Sequence, residues 1–288
     1  MVAPTREPMK ELAGRVAVVT GAADGIGRAI AGRCAEAGMR LVLADVDRGR
    51  LEVSRAELER AGAEVLGCPT DVSRAAEVEA LAVATYARFG ACHLLVNNAG
   101  VALGKPVWEA TLADWEWVLG VNLYGVIHGV RAFVPRMLEA GEPGHVVNTA
   151  SIAGLISPPG LGPYNVSKHG VVTLSESLHG DLAVRGAPIG VSVLCPAWVR
   201  TRIAESERHR PKAERTDASR VDGVAAKVGA AVEEAVEAGI APAEVARAVL
   251  DAVASGRFYI LTHPHTKKAV QIRAEDILDG RPPTILPF

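Results

Sequence analysis

The sequence predicts an α/β protein of the doubly wound kind, a seven-stranded parallel sheet with helices on both faces. Three observations carry that expectation. From residue 15 onward, short β-branched apolar runs alternate with longer Ala/Glu/Arg-rich stretches of helical period, the rhythm of successive βαβ units. Several of those runs are apolar at consecutive rather than alternate positions, as strands covered on both faces must be. A glycine-rich turn follows the first run and opens the first helical stretch.

Strands are expected at 15–20 ("RVAVVT"), 39–45 ("MRLVLAD"), 64–71 ("EVLGCPTD"), 93–100 ("HLLVNNAG"), 144–151 ("GHVVNTAS"), 190–196 ("GVSVLCP") and 257–263 ("RFYILTH"). Helical stretches such as "IGRAIAGRCAEAG" and "LADWEWVLGVNLYGVIHGVRAFVPRMLEAG" separate them. Two regions break the rhythm. Residues 202–240 are charged and alanine-rich without a strand, and a stretch of that length is expected to be a lid over a site or a linker. Residues 265–288 read as a short amphipathic helix followed by a proline-rich extension. The expected organisation is one dinucleotide-binding catalytic domain at 10–264, carrying a helical lid at 202–240, with a tail at 265–288; 288 residues suit a single α/β domain.

Charge and cysteine usage narrow the partners. Lys plus Arg number 31 against 33 Asp plus Glu, a net charge of -2, so no basic field draws nucleic acid or an acidic membrane. Cys34, Cys68, Cys92 and Cys195 lie far apart with no C-x-x-C pair, which argues against a metal site and a disulfide framework and for a reducing compartment. The start has no apolar signal-peptide core, and no run approaches the roughly 18 consecutive apolar residues of a membrane span. The expectation is a cytoplasmic protein acting on a small molecule.

Directly after the first strand comes "TGAADGIG", residues 20–27. Gly21, Gly25 and Gly27, with Asp24 and Ile26 between them, permit a tight turn and a close backbone approach to a pyrophosphate, which would sit on the free N–H groups at the positive end of the helix. Asp45 ends the second strand, 18 residues after Gly27, where a carboxylate grips ribose hydroxyls. Turn and acid together predict a Rossmann-like dinucleotide site. A 2′-phosphate would meet both Asp45 and Asp24, so NAD is expected and NADP disfavoured, Arg48 being the nearby cation that could offset a phosphate.

In "GPYNVSKHG", Tyr164 and Lys168 are four residues apart and share one helix face. Two readings are open from the spacing. The pair either packs on a helix surface, or the ammonium, together with the positive charge of an oxidised nicotinamide, lowers the phenol from its ordinary pKa of about 10 until it trades protons near neutrality.

Taken in order along the chain, these motifs resemble the short-chain dehydrogenase/reductase family in its common single-domain type, over about residues 10–264. "TGAADGIG" resembles that family's T-G-x-x-x-G-x-G turn; "TDV", with Asp71 and Val72, is similar to the segment that holds adenine. "NNAG" matches its signature after the fourth strand, bringing Asn98, Ala99 and Gly100 to the coenzyme. The resemblance implies that Asn122 in "GVNLYG" is a catalytic asparagine in a locally distorted helix, supporting a water beside Lys168. It also implies that Ser151 in "NTASIAG" is the catalytic serine, with Tyr164 following 13 residues later. Tyr164 is then base for alcohol oxidation and acid for ketone reduction, Ser151 donates to the substrate oxygen, and Lys168 also bonds the nicotinamide ribose. In "LCPAWVRT" this chain has Pro196-Ala197 where the family has Pro-Gly, so an altered loop is expected if the glycine served a positive φ; Pro196, Val199 and Thr201 remain expected at the nicotinamide. The family also implies a homotetramer built on the two long helices and on the last helix and strand.

Other residues are read more plainly. His169 faces away from Lys168's helix face, and His263 and His265 in "THPH" belong to a loop after the last strand, without the further ligands a metal needs. Trp115, Trp117 and Tyr124 are assigned to packing or a subunit interface, Trp198 to shaping a substrate pocket. Leu155, Ile156, Pro158, Pro159 and Leu161 are expected to wall that pocket, implying a substrate with apolar bulk. The function expected is NAD-dependent interconversion of a secondary alcohol and a ketone. The alternatives are a dinucleotide-binding sensor without chemistry, or an epimerase or dehydratase on the same fold.

Overall fold

In a computed structural model, residues 9–210 and 223–285 are described, with the side chains of 224–228 set aside. All seven expected strands form: β1 (Val16–Thr20), β2 (Arg40–Asp45), β3 (Val65–Pro69), β4 (Leu94–Asn97), β5 (Gly144–Thr149), β6 (Ile189–Cys195) and β7 (Tyr259–Leu261). They make one parallel sheet in the order β3-β2-β1-β4-β5-β6-β7. The chain winds outward from β1 in both directions, so the strand order reverses between β1 and β4, and a crevice opens there at the carboxyl ends of the strands. Several strands are shorter than their apolar runs, because residues such as Asn98–Gly100 leave the ladder to line that crevice.

The helices are α1 (Gly25–Glu36), α2 (Arg48–Arg60), α3 (Ala75–Phe89), α4 (Leu112–Leu119), α5 (Gly125–Ala140), α6 (Gly162–Val184), α7 (Gly223–Glu237), α8 (Pro242–Ser255) and α9 (Thr266–Leu278). In β1, Ala17 and Val19 pack with Ile30 and Cys34 of α1 and Val245 and Val249 of α8. Val16 and Val18 instead meet Val78 and Leu81 of α3, Phe133 and Met137 of α5, and Leu178 of α6. Both sides of one strand are therefore buried, which is the physical reason for its unbroken apolar run.

The stretch Leu112–Ala140 is one continuous helix, long and apolar enough by length and composition to cross a membrane. Its hydropathy is accounted for by Val126, Phe133, Val134 and Met137, which are buried in the protein. At Gly120–Tyr124 it widens into a π turn, with Gly125 N–H bonded to Gly120 O. The 202–240 region holds no strand among its described residues: a 3-10 segment at Ile203–His209 precedes α7, and the rest of the expected lid, 211–222, lies outside the described residues.

Candidate active site

The carboxyl ends of the strands open on a cavity of about 320 Å³, within the range of small-molecule sites. Its floor begins at the glycine turn. Gly21 and Gly25 have φ of +65° and +54°, and a Cβ on Gly21 would come within 2.8 Å of Ala99 Cα, so only glycine lets the turn lie against the end of β4. Thr20 Oγ1 accepts from the N–H groups of Asn98 and Ala99 at 2.9 and 3.1 Å, and Asn98 Nδ2 donates to Thr20 O at 3.0 Å. Asp24 caps α1 by accepting from Gly25 N–H at 2.8 Å, and Ile26 lines the cavity beside it. Gly27 does not line the cavity. A Cβ there would stand 2.1 Å from Gly21 O, so its contribution is to let the helix pack beneath the turn.

At the far end, each oxygen of the Asp45 carboxylate accepts one backbone N–H, from Ala23 at 3.0 Å and Asp47 at 2.9 Å. Each keeps lone-pair capacity for a ribose hydroxyl. Of the α2 cations Arg50 lines the cavity and Arg48, singled out from the sequence, does not; Arg202 and Arg208 line it as well. Arg50 is paired with Asp24 at 2.9 Å and Asp47 at 3.7 Å. Asp71 holds its own turn by accepting from Ser73 N–H and Oγ–H, while His128 Nδ1–H donates to the carbonyl of Val72.

The acid–base residues meet in the middle. Ser151 leaves β5 in an extended conformation and its Oγ accepts from Ala153 N–H at 3.1 Å. Tyr164 and Lys168 come from the first turns of α6. Lys168 is 3% exposed, its Nζ donates to Thr149 O at 3.0 Å and lies 5.6 Å from the centre of the Tyr164 ring. Burial pushes the Lys168 ammonium down to about 8. Burial also raises the Tyr164 phenol above its ordinary value, a shift the Ser151 hydroxyl partly offsets. The acidic phenol expected from the sequence is thus not a property of the protein by itself, because the cost of a buried phenolate outweighs the attraction of an ammonium that far from the ring.

Asn122, in the π turn, is wholly buried and does not line the cavity. Its Oδ1 accepts from Val101 N–H at 2.8 Å, and its Nδ2 donates to Val101 O and Ser167 Oγ at 2.9 and 3.0 Å. The side chain ties the segment after β4 to α6.

Pro196, Val199 and Thr201 line the cavity as expected, with Trp198. Ala197 is not strained: among the described residues no non-glycine residue has a positive φ, so alanine replaces glycine here without altering the hand of the turn. Of the five expected wall residues, Pro158 and Leu161 line the cavity, whereas Leu155 turns into a core cluster with Val171 and Val172, and Ile156 and Pro159 lie outside the lining. Their place is taken by Trp117, which the sequence reading had assigned to packing, and by Ile203, Val232 and Val236. Trp117 was missed because its partner is distant in sequence: the Arg210 guanidinium lies 5.0 Å from its ring centre. Arg210 also bonds the buried Asp114 at 2.6 Å, and Lys105 bonds the other Asp114 oxygen at 2.9 Å. Against the burial cost, these cations and the Thr111 N–H hold the Asp114 carboxyl down at about 2. Ser206 Oγ accepts from Ala102 N–H at 2.9 Å, so the 203–210 segment is docked by two buried contacts. His169 Nδ1–H donates to Asn165 O in its own helix.

A turn shaped for pyrophosphate, a ribose carboxylate and a Ser-Tyr-Lys group in one cavity define a dinucleotide-binding α/β oxidoreductase. The family model for short chain dehydrogenase matches residues 15–212. The CLA biosynthesis dehydrogenase/reductase of Lactiplantibacillus plantarum is 34% identical over 277 residues, 95% of this chain and 97% of that one. The 1-deoxy-11-beta-hydroxypentalenate dehydrogenase of Streptomyces exfoliatus is 36% identical over 265 residues, 91% of this chain and 88% of that one. A short-chain dehydrogenase/reductase from Burkholderia phymatum, solved in complex with NAD, superposes with a TM-score of 0.94 at 49% identity, covering 97% of this chain and 99% of that one. The chain belongs to the short-chain dehydrogenase/reductase family of NAD(P)-binding oxidoreductases.

Proposed function

We propose that the protein is an NAD-dependent dehydrogenase that interconverts a secondary alcohol and a ketone carrying apolar bulk. The observation that carries this reading is the meeting of Ser151, Tyr164 and Lys168 in the same cavity as the glycine turn and Asp45. The residues present fit the coenzyme: the turn tolerates no Cβ at Gly21, and Asp45 has acceptor capacity to spare. NAD supplies the hydride acceptor when bound. Asp45 and Asp24 favour NAD over NADP, because the cations beside them are already engaged by carboxylates, Arg50 by Asp24 and Asp47 and Arg202 by Glu205 and Asp24. A relative of high structural similarity in complex with NAD supports the same choice.

Ser151 Oγ–H donates to the substrate oxygen, and Tyr164 Oη takes the hydroxyl proton in oxidation or gives one to the ketone in reduction. Burial keeps the resting phenol protonated, the form that serves reduction. Oxidation needs the phenolate, which Lys168 stabilises as the nearest buried cation. Trp117, Trp198, Leu161, Ile203 and Val236 supply an apolar wall, which fits a substrate with apolar bulk. Ile203, Ser206, Val232 and Val236 of the 202–240 region line this side, and the protein works as a cytoplasmic homotetramer.

Tyr164→Phe is expected to abolish NADH formation, followed by its near-ultraviolet absorbance over a panel of secondary alcohols, while NAD binding by calorimetry persists. Turnover near the wild-type rate in that variant would refute the assignment. NAD binding without turnover in the wild type would turn the reading toward a sensor.

A further inference from the structure

The backbone loop that follows β6 is held from the opposite side by a histidine to which the reaction scheme gives no part. His263 stands just past the end of β7 and is 8% exposed. Ala197 N–H donates to its Nδ1 at 3.3 Å, as does the neighbouring Thr262 Oγ1 at 2.8 Å, and its Nε2 lies 3.1 Å from Trp198 O. A backbone N–H can only donate and a carbonyl can only accept, so the ring is the neutral tautomer with its proton on Nε2. Both ring nitrogens are therefore used on consecutive residues of one loop, and the imidazole holds the Pro196–Ala197 and Trp198–Val199 peptide groups on either side of the link between them.

The same carbonyl receives a second bond. Ile240 N–H donates to Trp198 O at 3.1 Å, Arg200 N–H donates to Ile240 O at 3.0 Å, and a Cβ on Gly239 would stand 2.6 Å from Trp198 O. The loop thus meets, at one oxygen, the end of the 202–240 region and the end of the last strand. On its other side the loop is fastened to the turn after β5, where Pro196 O accepts from Ile152 N–H at 2.9 Å and from Ser151 Oγ–H at 3.4 Å. Ala197, Trp198, Val199 and Thr201 line the cavity, and His263 does not, so its influence reaches the cavity through the backbone it holds.

We propose that His263 is a positioning residue for the nicotinamide half of the coenzyme: by clamping Ala197 and Trp198 it sets the loop against which that ring rests. This rests on the reading of the cavity as an NAD site with nicotinamide against residues 196–201. The adenosine half, gripped by Asp45 and the glycine turn at the other end, does not depend on it.

The test compares NAD with ADP-ribose, which lacks the nicotinamide, by titration calorimetry on the full chain. His263→Phe keeps the ring volume and removes both bonds. It is expected to weaken NAD by about tenfold, the worth of one or two hydrogen bonds, and to leave ADP-ribose unchanged. His263→Asn keeps an acceptor near the Nδ1 position and His263→Gln a donor near the Nε2 position, so each is expected between wild type and His263→Phe. These two variants carry the test if His263→Phe does not fold. An unchanged ratio of NAD to ADP-ribose affinity, including parallel loss of both ligands through a loosened fold, overturns the proposal and leaves the dinucleotide reading standing. A wild-type protein that binds neither ligand overturns that reading and the proposal with it.

Discussion

At Lys168, stability and chemistry pull in opposite directions. A buried ammonium that donates to Thr149 O is expensive to keep charged, and burial brings its pKa from 10.5 to about 8. Because the folded value lies below the unfolded one, the unfolded chain holds the proton more tightly. The penalty is full below pH 8 and fades as pH rises toward 10.5, so this residue makes the protein more stable with rising pH across that window. Lys168→Met is therefore expected to stabilise the fold at neutral pH by on the order of 2 kcal/mol after allowing for the lost bond to Thr149. Scanning calorimetry should show a raised Tm, and the alkaline rise in stability should vanish, while turnover is lost. A lowered Tm would mean that the ammonium is not a burden to the fold. The cost is borne because a cation is wanted beside a phenol that must ionise, and Tyr164, raised by its own burial, needs that neighbour more than an exposed tyrosine would.

Among the elements, the 203–210 segment shows how a charged stretch can end up inside. Its sequence is polar from Glu205 onward, yet Ser206 and Arg210 are buried because Ala102 N–H and Asp114 meet them. Asp114 is committed twice over, as the capping-box residue of α4 and as the anion between Lys105 and Arg210. Removing its charge would leave two cations facing an uncharged amide. Asp114→Asn is expected to cost on the order of 3 kcal/mol, seen as a lower urea midpoint. Its carboxyl titrates at about 2 when folded against 3.8 ordinarily, so its contribution is intact above pH 3.8 and is lost as pH falls toward 2. The variant should lack that part of the acid transition. An unchanged midpoint would show that the cluster contributes nothing to the docking of this segment. Through Arg210 the same cluster also fixes Trp117, so substrates that fill the apolar wall should lose affinity in parallel.

Over the whole molecule, large apolar side chains remain in water on the long helices, among them Tyr124 at 53% and Val166 at 50% exposure, and on α9, where Ile277 and Leu278 are exposed. A homotetramer built on the long helices and on the last helix and strand would cover these. Light scattering on the purified protein is expected to give about four times the 30.1 kDa chain mass. A monomer at micromolar concentration would remove that part of the proposal and leave the active site untouched, since every group named in the mechanism comes from one chain.

What could be read from the sequence was whatever is local or spaced by a repeating geometry. Apolar runs located the seven strands, the glycine turn and Asp45 kept the spacing a coenzyme imposes, Tyr164 and Lys168 share one helical turn, and Ser151 followed from the family resemblance; all five lie in a single cavity. Tertiary structure alone decided the rest. Asn122 was placed by its bond to Val101, Trp117 by Arg210, and the Ala197 loop by a histidine 66 residues further along. The sense of the tyrosine and lysine pKa shifts was decided there too. Each of these depends on which distant segments meet and how much water they exclude, and neither periodicity nor a motif encodes that.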